Sequence, residues 1–98
     1  MSEPAAVPTI AADARPRLPR GVRLQHSEAH GGHVLLAPER VFKADAIAVA
    51  VLERCTGEKT LGEIVDELSA AYGAPRERVL TDVTALLRGL ADKRLLEF

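Results

Sequence analysis

Hydrophobic positions follow two different periods along this chain. From Gly21 to Gln25 they alternate, with Val22 and Leu24 on one side and Arg23 and Gln25 on the other. Period two predicts a half-buried strand. A second short apolar run follows at His33–Ala37 (HVLLA), and the EAHGG stretch between the runs supplies a turn. Gly31 and Gly32 can take positive φ there. The two runs therefore predict a hairpin. Pro38 ends the second strand, because proline has no N–H to donate to a ladder. Arg40–Lys43 reads as a third, short strand.

Beyond Lys43 the period becomes helical. Ala44–Cys55 is alanine-rich, with Ile47, Val51 and Leu52 at helical spacing, and Thr56-Gly57 stops it. Thr60 and Glu63 form a T-x-x-E capping box, which satisfies two orphan amides reciprocally. Leu61, Ile64, Val65, Leu68 and Tyr72 then mark one face of a second helix closed by Gly73. Pro75 opens a third helix, where its missing N–H costs nothing. The stripe of that helix runs from Leu86 through Val79, Leu90 and Val83 to Leu87 and Leu80. Lys93 and Arg94 sit at its favourable C-terminal end. Leu95, Leu96 and Phe98 form an apolar terminus. Strands grouped apart from helices predict an α+β domain, a three-stranded antiparallel sheet followed by three helices.

Residues 1–16 lack either period. Pro4, Pro8 and Pro16 stand among Ala, Asp, Glu and Thr, and Val7 and Ile10 are isolated. Such a segment buries too little to offset its ordering entropy. It reads as a disordered tail or a linker from a larger chain, leaving residues 17–98 as the domain.

Composition narrows the function. With 98 residues the chain holds one domain with a thin core, a poor setting for a deep dry pocket. Lys+Arg is 13 against 14 for Asp+Glu, a formal net charge of −1 that gives no bulk attraction to nucleic acid or anionic membrane. Aromatic residues are 3% and Trp is absent, so stacking platforms for single strands have almost no material. One cysteine excludes an internal disulfide and a thiolate zinc site. No apolar run approaches the ~20 residues of a membrane span. No signal peptide is evident at the start, so a cytoplasmic location is expected.

Four constellations could carry chemistry. His26, His30 and His33 offer imidazoles, with Glu28 near in sequence, but they fall in a glycine-containing turn without visible support for a metal. Cys55 ends a helix, where the dipole opposes a thiolate. No phosphate loop, nucleophile elbow or acid pair with a matching base is present, so neither enzyme chemistry nor a cofactor is expected. The second and third helices outline a helix-turn-helix, which keeps DNA binding as the alternative reading. Yet Asn is absent, Gln occurs once, and Glu77, Asp82 and Asp92 dilute the cations of the third helix. A different surface fits better. The third strand would be last in its meander, with unpaired N–H and C=O groups. Beside it, an apolar helix flank would supply side-chain pockets for an added peptide strand.

Three stretches together resemble the PqqD family. His33-Val34-Leu35-Leu36-Ala37-Pro38-Glu39 is similar to its V-L-L-x-P-E, and Val51-Leu52-Glu53-Arg54-Cys55-Thr56-Gly57 to its I-L-x-L-C-D-G. Thr60–Leu68 with Tyr72 resembles T-x-x-E-I-I-x-x-L-x-x-x-Y. The chain departs from the family at Phe42-Lys43-Ala44-Asp45, where Leu-Asn is frequent, and at Thr56, where Asp is. The resemblance implies a winged-helix-like peptide recognition element. By that analogy it binds the precursor peptide PqqA and presents it to the radical SAM enzyme PqqE in pyrroloquinoline quinone biosynthesis. The expected groove combines Arg40, Val41, Phe42 and Lys43 with Arg76, Leu80, Val83 and Leu87. In it Val41 or Phe42 and the helix residues would hold apolar side chains, and Arg40, Lys43 and Arg76 acidic ones. A monomer is expected, with an exposed edge that leaves dimerisation open.

Overall fold

The computed structural model describes residues 10–98. Its elements follow the predicted order: β1 (Arg23–Ser27), β2 (Gly32–Ala37), β3 (Arg40–Ala44), α1 (Ala46–Leu52), α2 (Leu61–Tyr72) and α3 (Arg76–Asp92). The strands form one antiparallel sheet in the order β1-β2-β3. Its register aligns Leu24 with Leu35 and Leu35 with Phe42. These three pack against the helices, and Leu35 is buried at the centre of the row. The alternate row, Arg23, Leu36 and Val41, faces the other way. Val51, Leu61, Ile64, Leu87 and Leu95 complete the core without exposed surface. Each such side chain contributes about 1.5–3 kcal/mol relative to exposure.

Boundaries shift where local hydrogen bonds compete with the pattern. The first strand begins at Arg23, because Val22 N–H donates to the Pro19 carbonyl and Gly21 turns at φ 86°. The first helix is shorter than the expected Ala44–Cys55. Ala44 pairs with His33 in the sheet, and the Asp45 carboxylate accepts from Ala48 N–H at 2.8 Å as the N-cap. At its other end, Arg54 and Cys55 N–H reach back only three residues, to Val51 and Leu52. The capping box of α2 has both halves. Glu63 N–H donates to Thr60 Oγ1 at 3.1 Å, and Thr60 N–H donates to Glu63 Oε1 at 2.8 Å. Gly73 closes α2 at φ 60°, and Pro75 is the N-cap of α3 rather than its first residue.

Of the expected tail 1–16, residues 1–9 lie outside the described part. In residues 10–16, Pro16 is buried and Ile10 lies against the core. The carbonyls of Ala14 and Ala12 accept from Leu61 N–H at 2.8 Å and Gly62 N–H at 3.0 Å. Those are first-turn amides of α2, which have no partner within the helix. The segment then passes between two others, Arg17 bridging to both Thr56 and Glu97. Sequence periodicity misses this strap because it is held by backbone groups rather than by an apolar face.

Candidate functional site

The free edge of β3 follows from its hairpin. Pro38 and Glu39 make a two-residue turn, Glu39 at φ 62°, so Ala37 pairs with Arg40. In such a hairpin the closing pair is hydrogen-bonded and pairs alternate from there. Arg40, Phe42 and Ala44 therefore bond to β2, while Val41 and Lys43 turn their backbone N–H and C=O outward. Among the described residues no strand takes these groups up. Side chains divide the opposite way. Phe42 packs inward on the core, and Val41, 50% exposed, points to the outer face of the sheet.

Two features relate α3 to this edge. The Arg40 guanidinium donates to the carbonyl of Lys93, the C-cap of α3, at 3.0 Å, and it lies 5.4 Å from the Phe42 ring centroid. At the other end, Lys43, Ile47, Asp82 and Leu86 surround a hollow of about 260 Å³. Arg40 thus reaches the C-terminal end of α3, while Lys43 shares a hollow with Asp82 and Leu86. β1 also ends the sheet, but this hollow, bounded by strand and α3 residues alike, lies on the β3 side.

The expected groove residues divide accordingly. Arg40, Val41, Phe42 and Lys43 form β3 as anticipated. The four expected helix residues lie mostly away from this hollow. At about 100° per residue, the α3 stripe has two edges, with Leu86, Lys93 and Asp82 on one side of Val83 and Leu87 and Leu80 on the other. The structure turns the first edge toward β3. Leu87 has no exposed surface and belongs to the core, and Leu80 packs on it. Arg76 pairs with Asp66 of α2, and its guanidinium lies along that helix as far as Gly62. Of the four expected helix residues only Val83 borders the hollow, and it is 3% exposed. Ile47, Asp82 and Leu86 line the hollow and were not among the expected residues. The signal for Leu86 was present, since it closes the far edge of the same stripe.

Charge along the groove is polar rather than uniformly basic. The Arg40 guanidinium, on the Lys93 carbonyl, marks one end, while Lys43, Asp45 and Asp82 line the hollow at the other. The cluster at Glu67 lies elsewhere and is structural. Its carboxylate is held below the ordinary glutamate value, first by the Lys59 hydrogen bond, and also by Arg54, against an opposing desolvation effect. Burial pushes the Cys55 thiol up to about 12, and its S–H donates to Val51 O at 3.3 Å. This is the inert limit of cysteine chemistry. The His26 and His33 rings meet edge-on at 5.2 Å, and His30 hydrogen-bonds Ser27 Oγ at 3.0 Å. Among the described residues no three His, Cys, Asp or Glu side chains converge as metal ligands. No helix among them is long and apolar enough to cross a membrane.

The chain as a whole has counterparts among known proteins. Residues 32–96 match the family Coenzyme PQQ synthesis protein D (PqqD). The chain belongs to the PqqD family. A "PqqA binding protein" of Bradyrhizobium diazoefficiens is 49% identical over 88 residues, covering 90% of this chain and 85% of that protein. The "Bifunctional coenzyme PQQ synthesis protein C/D" of Methylorubrum extorquens is 49% identical over 82 residues, which are 84% of this chain and 22% of that one. There a PqqD-like domain is one part of a longer polypeptide. The solution structure of the PqqD truncation of Methylobacterium extorquens PqqCD has a TM-score of 0.78 and 44% identity, with 94% of this chain and 97% of that chain covered. It is described as a functional, stand-alone recognition element for ribosomally synthesized and post-translationally modified peptides. The α+β order predicted from periodicity is thus that of the PqqD fold.

Proposed function

We infer that this protein binds the ribosomal precursor peptide PqqA by strand addition to β3, and presents it to the radical SAM enzyme PqqE in pyrroloquinoline quinone biosynthesis. The observation that carries the reading is the outward backbone of Val41 and Lys43, with the Leu86 edge of α3 alongside. An added strand gains main-chain hydrogen bonds from the edge, and every second side chain enters the groove. The relatives named for PqqA binding support the choice of peptide. The protein does no chemistry in this reading. It needs no cofactor and raises the local concentration of the peptide at the enzyme.

The groove's polarity also sets an orientation. Acidic side chains of the peptide favour the Arg40 and Lys93 end, and are repelled from Asp45 and Asp82. An amide-shift titration with PqqA tests the reading. Shifts are expected at Val41 and Lys43 and along the Asp82, Leu86 and Lys93 edge of α3. Shifts confined to β1 or α2 would overturn it.

A further inference from the structure

A second hollow, about 130 Å³, lies where α1, the end of α2 and the start of α3 meet. Its rim carries Ile47 and Tyr72, 55% and 54% exposed and two of the four large exposed hydrophobic residues on the described surface. Leu68, Val79 and Ala74 complete its walls, and Arg78 joins Asp82 at its mouth. Neither the capping of the helices nor the packing of the core requires an open apolar recess here. Exposed hydrophobic residues gathered around a concavity mark a binding surface more often than scattered ones do.

The recess continues the groove. Ile47, Val51, Asp82 and Val83 line both this hollow and the one beside Lys43, so the two share a wall. A strand lying along β3 and continuing past Lys43 crosses Ile47 and arrives over the second hollow. Two side-chain-sized hollows with a common wall lie about 7–10 Å apart, which is about two or three residues of extended chain. The volume suits one leucine- or phenylalanine-sized side chain.

We propose that this recess is an anchor pocket for one apolar side chain of the same precursor peptide, two or three residues beyond the stretch paired with β3 at its Ala44 end. The proposal rests on strand addition at β3 and specifies what the peptide must carry. It needs an apolar anchor near the Asp45 and Asp82 end and acidic residues toward the Arg40 and Lys93 end. A buried anchor at one end of a strand also fixes register, which backbone hydrogen bonds alone leave free to slip by two residues.

The test is a double-mutant cycle. Ala74 lines the recess from the α2–α3 turn, so Ala74→Leu fills it from a half-buried position. An alanine scan of PqqA against the unmodified protein should find one apolar position whose loss weakens binding about tenfold. Ala74→Leu should cost about tenfold with the natural peptide, and nearly nothing further with the alanine-substituted one. The amides of Val41 and Lys43 should still shift at saturation in that variant. Tyr72→Ser, which removes an exposed rim side chain, should reproduce part of the loss with the melting temperature nearly unchanged. Additive losses, or unchanged affinity in both variants, would overturn the anchor while leaving strand addition standing. Failure of Val41 and Lys43 to shift with the unmodified protein would overturn strand addition itself. Shifts at Ile47 and Tyr72 that follow protein concentration without peptide would assign the recess to a second copy of the chain, and would also overturn the proposal.

Discussion

Residue by residue, the features that hold the site are mostly terminations. Arg94 shows how closely a cap can be read. Leu95 N–H donates to Leu90 O at 2.9 Å, and Arg94 N–H donates to Ala91 O at 2.9 Å. With Lys93 as C-cap, these are the two bonds of a Schellman motif, and its apolar pair is Leu90 with Leu95. The motif demands a left-handed residue at Arg94, which stands at φ 63°. A non-glycine residue there carries about 1–2 kcal/mol of steric cost, partly offset by its lower entropy when unfolded. Arg94→Gly is therefore expected to stabilise the domain by about 0.5–1 kcal/mol. Thermal unfolding should show a rise of several degrees at this size. The substitution keeps the backbone conformation that presents the Lys93 carbonyl to Arg40, so peptide affinity should not fall. A lower melting temperature would mean that the Arg94 side chain makes a compensating contact.

Among the elements, α3 shows what periodicity could and could not reveal. The stripe from Leu86 to Leu80 was legible, and so were the three strands, the capping box and the closing glycines. Which stripe edge faces β3 was not legible. That choice depends on the crossing of α2 and α3 and on contacts such as Arg76–Asp66, which join residues distant in sequence. Arg76 is a cation near the apolar stripe, so by pattern alone it suits a peptide carboxylate as well as it suits Asp66. The strap at residues 10–16 was hidden for a related reason, because carbonyls that cap α2 leave no side-chain signature. The proposed groove separates two neighbouring leucines. Leu87→Asp places an unpaired carboxylate in the core and should unfold the domain, at a cost of several kcal/mol. Leu86→Ser removes apolar surface from the groove, where Leu86 is only half-buried. It should retain the fold and weaken PqqA binding about tenfold, near 1.4 kcal/mol of lost contact. Circular dichroism with a binding isotherm for each variant checks both. Equal binding loss from a folded Leu87→Asp would restore the opposite flank as the groove.

For the molecule as a whole, a net charge of −1 conceals a local arrangement that governs how a peptide approaches. Folding pairs several cations with carboxylates. Arg76 is engaged by Asp66, Arg54 and Lys59 by Glu67, and Arg17 by Glu97. Beside the groove, Lys43 is exposed and lines the same hollow as Asp45 and Asp82. Exposed charges act over about 8 Å at physiological ionic strength. They therefore influence encounter and orientation more than the lifetime of the complex. Lys43→Glu would join its new carboxylate to those two aspartates and repel an acidic peptide before docking. Stopped-flow association with PqqA should show a several-fold slower on-rate at low salt. The gap from the unmodified protein should close as salt rises, with the dissociation rate changed less than about twofold. A salt-independent loss confined to dissociation would instead mean that the Lys43 ammonium is a direct, desolvated contact of the bound strand. The groove would then select its peptide by pairing within the complex rather than by steering toward it.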